Sequence, residues 1–598
     1  MGKRKRGTVA RAENAKRVWK AYWEKKRAAG VATPSTSADR AAPAVAEERQ
    51  ETPAAHRLKL LSGKLSVEED VSDDNALVVI SVGRLKELLS GNSCDICGEQ
   101  AQTDIKRKYF DCEVKVKCTT CDLVLCDSKP RKANIGNFSE ANSVLLFHSI
   151  SNGYGRAGLS RLSALFGTTD MPQSVFMNYV NALYCAMDNF YKEQQNIVLE
   201  TVREVHTKQD TPVVQSADKT EVGVGYDGTW MTRGHKSHIQ AGFVIEMTTG
   251  FVLDFHVMSN FCKSCSTNRN RKTKESFEAW QETVHAGKCQ ANFDGLSGRM
   301  EAECAVRLWG RSEDIGFRYT TFLGDGDSSA YTSVTKMNDG EGPYNVKVEK
   351  EECVNHVKKR MGTRLRKLKE ETVTKKGKVI KRNVVSGKHQ LTDKQIDAFQ
   401  RYYGKAVRDS MGTDALTMKL KVMSGFWHAI SRDGEGNHHH IHCDPSWCIF
   451  KQAVVNNEPM PSHNSMKNYL RLEKIYEDRV RQVFLDLSAP ALLERCLKGH
   501  TQNRNESLHS KLWIHVNKAK FAGLNRVQFM SQLTVLEHNV GCEHNRFMAT
   551  IGFPSTTQAA TTRKKMDKAR ISPRQPAKKK KTSKGPLSAD YQPGGFDS

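Results

Sequence analysis

The alternation of strand-like and helix-like segments between residues 221 and 369 constrains the fold most strongly. "EVGVGYDGTW" alternates like a strand, and "SHIQAGFVIEM" and "FVLDFHVMS" flank the turn-forming "TTG", which predicts a hairpin. Helical patterns around "ESFEAWQETVH" and "MEAECAVRLWG" follow, then the strands "FRYTTFLGD" and "YNVKVEK" with a helical segment between them. A long helix, "ECVNHVKKRMGTRLRKLK", closes the series with an apolar stripe. The predicted order is three strands, helix, strand, helix, strand, helix.

This order is that of a ribonuclease-H-like core, so the predicted class is α/β with a mixed five-stranded sheet and flanking helices. In such a sheet the first and fourth strands are neighbours. A mainly α-helical insertion interrupts the core, and a zinc ribbon precedes it. The predicted parts are a basic disordered segment (1–56), a zinc-ribbon region (57–130), a helical region (131–215), the first part of the core with a Cys/His clip at 262–289 (216–369), the insertion (370–495), the core completion (496–544) and a basic disordered tail (545–598).

Positive charge is concentrated in three segments of a chain whose net charge is +25. Residues 1–30 carry eleven Lys/Arg against two acids, residues 563–584 eleven against one, and residues 358–388 thirteen against two. Such clusters attract phosphate backbones, although solvated tails or a nuclear-import signal would look the same. No apolar run is long enough for a membrane span, and the N-terminus lacks a signal-peptide pattern. We therefore expect DNA as a partner, no membrane contact and a nuclear location.

Two acids lie where the first and fourth strands are predicted. Asp227 falls inside "GYDGTW", and Asp325 follows the apolar run in "RYTTFLGDGDSSAY". Neighbouring carboxylates repel unless a cation lies between them, and Mg²⁺ (or Mn²⁺) accepts one or two carboxylates together with phosphate oxygens. Asp327 competes for the second position, but the serines after it favour a helix-cap role. A Gly-rich turn remains an alternative for this segment.

The third acidic ligand is expected on a late helix. Glu506, in "KGHTQNRNESLHSKLW", is the best candidate, and it shares a helix face with Asn503 and with His509 or Ser510. The Asn503-x-x-Glu506 spacing also fits a capping box, in which Glu506 would only close the start of the helix.

Paired cysteines in a chain without a secretion signal indicate zinc rather than disulfides. Cys94-x-x-Cys97 and Cys118-x-x-Cys121 have zinc-ribbon spacing, with Cys112 and Cys126 as possible replacements. A second four-ligand set is expected to clip an insertion beside the acids; its members are Cys262, Cys265, His285 and Cys289.

A third zinc set is less sharply defined by spacing. Cys353 and His356, three apart on the long helix, could be joined by ligands from "HHHIHCDPSWC", which would tie the insertion to the core. The candidate ligands from that loop are His440, Cys443 and Cys448, with His428 and Cys496 as further possibilities. A His-rich loop with buried cysteines is the alternative.

Together, "YDGTW", "RYTTFLGDGDSSAY", "ECVNHVKKRMGTRLRKL" and "TQNRNESLHSKLW" resemble the Mutator-like transposase domain of animal mobile elements, over roughly residues 90–530. The resemblance implies a catalytic DDE triad, Asp227, Asp325 and Glu506, and a Cys-x-x-His signature at Cys353 and His356. It also implies metal-dependent cleavage and strand transfer at the element's terminal inverted repeats, and a homo-oligomer, most simply a dimer. A transposase-derived DNA-binding protein without catalysis, and a nuclease that cuts without joining, are the competing interpretations.

Overall fold

The computed structural model describes residues 51–65, 71–208, 219–232, 237–325, 329–375, 378–383, 391–433, 438–465, 471–516, 518 and 521–572. Residues 371–375 and 378–383 are described by their backbone alone. Residues 1–50 of the predicted basic segment (1–56) and residues 573–598 of the predicted tail (545–598) lie outside this set, as does Asp327. Within the described residues, no helix is both long and apolar enough to cross a membrane.

The N-terminal part is a small antiparallel sheet with five helices. Strands β1, β2 and β3 pair in sequence order, with Ala101 opposite Cys118 at one end of the first ladder. The elements are α1 (Pro53–Leu60), α2 (Val82–Leu89), β1 (Ala101–Lys108), β2 (Asp111–Cys118), β3 (Val124–Ser128), α3 (Glu140–Ser151), α4 (Gly155–Phe166) and α5 (Gln173–Lys208). The 36-residue α5 buries an apolar stripe, which makes it a main wall of the first hydrophobic core.

The central sheet has five strands in the order β6-β5-β4-β7-β8. Strands β4, β5 and β6 are antiparallel, whereas β7 runs parallel to both β4 and β8. The elements are β4 (Thr220–Trp230), β5 (Ile239–Glu246), β6 (Val252–Ser259), α6 (Lys263–Arg269), α7 (Lys274–Thr283), α8 (Met300–Gly310), β7 (Phe317–Gly324), α9 (Ser329–Thr335), β8 (Glu349–Glu352) and α10 (Val354–Lys367). The predicted five-stranded mixed sheet is confirmed, and its first and fourth strands are neighbours.

Helices cover both faces of this sheet. Every residue of β5 is buried, which is typical of a strand covered on both sides. On one face, α8 packs against β5 and β6, and Tyr226 Oη donates to the Glu301 carbonyl at 2.7 Å. The strand-like sequence "YNVKVEK" starts at Tyr344, but strand β8 starts five residues later, at Glu349. Residues 344–348 form turns and loop instead.

A second hydrophobic core is formed mainly by described residues between 391 and 496. The elements between residues 370 and 494 are β9 (Glu370–Lys375), β10 (Lys378–Asn383), α11 (Asp393–Arg408), α12 (Ala415–Ile430), α13 (Ile449–Asn456), α14 (Lys474–Leu487) and α15 (Pro490–Glu494). The apolar stripe of α10, including Val357, Met361 and Leu365, belongs to this core and not to that of the sheet. Helix α10 therefore packs on the second core, and its other face is left for polar side chains.

The C-terminal part completes the first core. Its helices are α16 (Asn503–His515), α17 (Leu524–Asn539), α18 (His544–Thr550) and α19 (Thr557–Ile571). Helices α18 and α19 lie where the sequence predicts a disordered tail. Helix α19 has no buried residue, so its sequence lacks the apolar stripe that would predict a helix. It contacts α1 and α17: Thr52 Oγ1, at the N-cap of α1, donates to the Ile571 carbonyl at 2.7 Å, and Arg570 Nη1 donates to the His538 carbonyl of α17 at 3.5 Å.

Candidate active site and metal-binding clusters

Asp227 and Asp325 come from adjacent parallel strands. In the β4–β7 ladder, Gly225 lies opposite Leu323, and each acid lies two residues further along its chain. Because side chains alternate between faces with period two, both acids leave the sheet on the same side. The charges of Asp325 and Glu506 act on Asp227, so the fold brings the three predicted acids together.

Helix α16 lies along β4 through a row of matched contacts. Asn505 Nδ2 donates to the Gly225 carbonyl at 3.3 Å, and Trp513 Nε1 donates to Thr229 Oγ1 at 2.8 Å. Between them, His509 Nδ1 lies 3.6 Å from Asp227 Oδ2. Residues four apart on a helix share a face, so this row sets the rotation of α16 and turns the neighbouring Glu506 toward α10. A Cβ at position 225 would lie 3.1 Å from Asn505 Oδ1, so any larger residue there would require Asn505 to shift by a few tenths of an ångström.

The capping-box alternative for Glu506 is not formed. Helix α16 begins at Asn503, and Gln502 at the N-cap position makes no side-chain capping bond. Asn503 Oδ1 instead accepts a hydrogen bond from Asn355 Nδ2 at 3.0 Å. The Glu506 carboxylate is directed to side chains of α10.

Three cationic side chains of α10 lie among the acids. His356 Nε2 is 3.3 Å from Glu506 Oε1, and His356 Nδ1 is 4.0 Å from Asp325 Oδ1. One turn later, Arg360 Nη2 lies 2.8 Å from Asp325 Oδ1, and Lys359 Nζ lies 3.4 Å from Glu506 Oε1. Lys359 and Arg360 follow His356 by three and four positions on α10. The three side chains therefore share the face opposite the apolar stripe, and this face is directed to the acids.

Hydrogen bonds with Cys353 and Glu506 raise the pKa of His356 to about 10, so this histidine is a cation at neutral pH. Cys353 is buried, and its Sγ accepts the Gln502 N–H at 3.3 Å. Burial raises the pKa of the Cys353 thiol, but the hydrogen bond with His356, the charge of His356 and the backbone N–H groups of Gln502 and His356 together hold the pKa below its usual value. The Cys-x-x-His pair therefore belongs to the acidic site.

Burial raises the pKa of Asp227 to about 7, with added repulsion from Glu506 and Asp325 and partial relief from His356. A fourth carboxylate, Glu301 of α8, lies near the same charges, and burial with repulsion from Asp227 raises its pKa to about 8. The sequence offered a signal for Glu301. It lies three, four and seven residues before Cys304, Ala305 and Leu308, all buried, so it is an acid on the apolar face of its helix.

The site has the charge and the donors for a divalent cation. In the described part of the chain, the three acids do not form a group whose ligand atoms all lie within 4.8 Å of one another. Two carboxylates from adjacent strands are nevertheless the number that Mg²⁺ commonly takes, with phosphate and water filling its other positions. A cation between the acids would relieve the repulsion that raises the pKa of Asp227.

The first cysteine cluster lies at one end of the small sheet. Cys94 and Cys97 precede β1, Cys118 ends β2, and Cys121 lies in the following turn. The Sγ atoms of Cys94 and Cys121, and those of Cys97 and Cys118, are 3.4 Å apart. Tetrahedral zinc with Zn–S bonds of about 2.3 Å separates its sulfurs by roughly 3.8 Å, so the set fits zinc. The possible replacements Cys112 and Cys126 are not members of this cluster.

The second cluster follows the end of β6. Cys262 Sγ lies 3.3 Å from His285 Nε2, and Cys265 Sγ lies 3.6 Å from Cys289 Sγ. The Trp280 indole stacks on the His285 ring with a centroid distance of 4.5 Å and fixes its orientation. All four predicted residues therefore converge.

The third cluster corrects the expected set. His440, Cys443 and Cys448 converge with His428 of α12, all with ligand atoms within 4.8 Å of one another. Cys353 and His356 are not members, because they face Gln502 and the acids. Cys496 is also elsewhere, buried in the second hydrophobic core. Spacing alone misled here, since a Cys-x-x-His pair on a helix can serve a metal or an ion pair equally well.

Comparison with known families identifies the class of this protein. The family model of the Mutator-like transposase matches residues 77–448. The chain belongs to the Mutator-like transposase family. The matched range includes Asp227, Asp325 and all three Cys/His clusters but ends before Glu506. No curated protein matches the sequence significantly.

Proposed function

We propose that this protein is a DNA transposase of the Mutator-like DDE type, with a ribonuclease-H-like core. Asp227, Asp325 and Glu506 hold Mg²⁺ or Mn²⁺, and the enzyme cuts DNA at the element ends and joins the freed 3′ ends to target DNA. The observation that carries this proposal is the convergence of three acids, from β4, the end of β7 and α16, around His356.

Each residue of the site has a defined task in this proposal. Bound metal supplies a Lewis acid that polarises the scissile phosphate and activates the attacking hydroxyl. Asp227 and Asp325 would fix the position of the metal, because the sheet holds both residues. Glu506 would supply the third carboxylate, from α16. His356 positions Glu506 through their 3.3 Å contact. Lys359, 55% exposed, contacts the DNA phosphate backbone beside the acids.

We also propose that each of the three Cys/His clusters binds zinc. All three have four soft or borderline ligands, the full set for a closed structural site. The first orders the small sheet, the second fixes the segment after β6, and the third orders the helical insertion. Zinc in these sites is structural and takes no part in the cleavage chemistry.

DNA is the proposed partner, reached through the basic segments at both ends and the basic residues after 357, and the nucleus is the proposed location. A dimer is proposed because bringing two element ends together requires at least two active sites, by analogy with other transposases.

The test uses the zinc-loaded full chain and supercoiled plasmid DNA with Mg²⁺ or Mn²⁺. Asp227→Asn, Asp325→Asn and Glu506→Gln should each lower cleavage by more than about a hundredfold, since even residues behind the ligands cost up to that much in other metal sites. DNA affinity should be unchanged or higher, because a negative charge is removed. Glu494→Gln, at an exposed position, is the matched control and should keep wild-type cleavage.

A second assay separates the competing functions. Joining of a labelled oligonucleotide 3′-OH end to plasmid DNA identifies a transposase, and cleavage without joining identifies a nuclease. Wild-type protein that binds DNA but neither cuts nor joins it would show a DNA-binding protein without catalysis. Full cleavage by Asp325→Asn would refute the assignment of the acids.

A further inference from the structure

A chain of hydrogen-bonded side chains extends outward from the third cluster, from His440 through His463 to Asp433. We propose that His463 and Asp433 are positioning residues of this site, which fix His440 as an Nδ1 ligand of zinc. The proposal rests on the zinc assignment given above.

The ligand atoms of the two histidines are defined by their distances to the thiols. His440 Nδ1 lies 3.8 Å from Cys443 Sγ and 3.7 Å from Cys448 Sγ. His428 Nδ1 lies 3.9 and 3.7 Å from the same two sulfurs. In tetrahedral zinc, bonds of about 2.0 Å to nitrogen and 2.3 Å to sulfur separate the ligand atoms by about 3.5 Å. Both imidazoles therefore present Nδ1 to the metal position.

This assignment determines which ring nitrogens of His440 and His463 carry a hydrogen. Because Nδ1 of His440 is directed to the metal, its Nε2 carries the hydrogen of the neutral ring. That Nε2 lies 3.0 Å from His463 Nε2, which must then accept. His463 Nδ1 consequently carries a hydrogen and donates to Asp433 Oδ1 at 2.9 Å. One arrangement of protons satisfies every contact from the metal position to the carboxylate.

Asp433 is held as the final acceptor by its neighbours. Its carboxylate accepts the backbone N–H groups of His463, at 2.6 Å, and Asn464, at 3.2 Å. Ser462 Oγ donates to Asp433 Oδ2 at 2.7 Å. Three further donors keep the carboxylate ionised and oriented, so His463 cannot reverse its ring without losing the contact.

Phe450 fixes both rings from one side. It stacks on His440 at a centroid distance of 4.3 Å and an angle of 6°, and on His463 at 4.1 Å and 16°. Outer partners of this kind fix the orientation and tautomer of a metal-binding histidine, and losing one commonly costs 10–100-fold in metal affinity.

The test measures zinc content and zinc transfer to a chromogenic chelator, using the full chain. Wild-type protein should hold three zinc ions. His463→Ala should lower the affinity of one of them by about 10–100-fold and leave the other two unchanged. His463→Gln should stay within about threefold of wild type, because the side-chain oxygen of Gln can accept from His440 Nε2. His442→Ala, in the same loop but outside the cluster, is the control and should match wild type.

Cobalt substitution distinguishes a positioning residue from a ligand. With all three clusters loaded with cobalt, His463→Ala should keep the wild-type intensity of the tetrahedral thiolate bands, whereas His440→Ala should lose the share contributed by the third cluster and keep that of the other two. Equal zinc affinity in His463→Ala and wild type would overturn the proposal, and so would equally large losses in His463→Gln and His463→Ala. Wild-type protein with only two zinc ions would instead refute the zinc assignment itself. Loss of all three ions in His463→Ala would show that this variant is misfolded. The zinc affinity of His463→Gln, compared with that of the wild type, would then test the proposal.

Discussion

Replacing Asp227 with Asn should stabilise the protein in the absence of Mg²⁺. Burial raises the pKa of this carboxyl to about 7 in the folded chain, against about 3.9 in an unfolded one. The folded state therefore binds the proton more tightly, and ionising the group costs stability as the pH rises from 4 to 7. Above pH 7 the cost is constant. At about 1.4 kcal/mol per pKa unit, the cost reaches roughly 4 kcal/mol, and relaxation of the site will reduce it.

Asparagine has nearly the same shape and no charge, so it should recover part of this cost, about 1–3 kcal/mol at pH 8. For a domain of 150–250 residues, that corresponds to a rise in Tm of roughly 2–12 °C. Thermal unfolding should be followed from pH 5 to 8.5 in zinc-loaded protein without Mg²⁺. A chelator must be omitted, because it would also strip the Cys/His clusters. The difference between variant and wild type should grow up to pH 7 and then remain constant.

Added Mg²⁺ should stabilise the wild type and have little effect on Asp227→Asn, since the variant lacks one anionic ligand. Asp478→Asn, at an exposed position on α14, is the control and should show no pH-dependent gain. An Asp227→Asn protein that is less stable than wild type at pH 8, or a difference that does not change with pH, would refute the assignment of Asp227 to a buried acidic site.

Two further predictions concern DNA binding and the packing of Glu301. Removing residues 573–598 deletes six Lys/Arg while keeping α19, so the slope of log affinity against log salt should fall by up to about 5 for all DNA sequences alike. Loss confined to one sequence would mean that the tail reads bases. Gly228→Ala should lower both cleavage and stability, because its Cβ would lie 2.6 Å from Gln240 Nε2 and 2.9 Å from Glu301 Cγ. Gly83→Ala, in open space on α2, should leave cleavage unchanged and should not lower stability, since alanine favours a helix more than glycine does, and equal losses in the two variants would contradict the packing argument.

The predictions that agreed with the structure rest on local periodicity and short spacing. The hairpin of β5 and β6 and the helix α8 follow from patterns within a few residues, and the neighbouring first and fourth strands follow from the order in which such elements succeed one another. The first two Cys/His clusters likewise converge as their spacing predicts. Local hydrogen-bond geometry and side-chain alternation act over such distances, so the sequence carries this information directly.

Other features depend on partners far along the chain. Helix α19 is held by α1, about 500 residues away, through contacts that its own sequence does not show. Cys353 and His356 face Gln502 and Glu506 instead of a metal cluster, because α16 packs beside α10. Glu301 stands near Asp227 only because α8 crosses the sheet at Gly228.

The sequence by itself determined the class of fold, the acids at the ends and centre of particular strands, and two of the Cys/His clusters, because each is written in short-range patterns. Only the tertiary structure decided which distant side chains meet: His356 with the acids, His428 with His440, and Asp433 with His463. The physical reason is that a hydrogen bond or ion pair depends on angstroms in space, and packing of the two cores, not spacing along the chain, sets those distances.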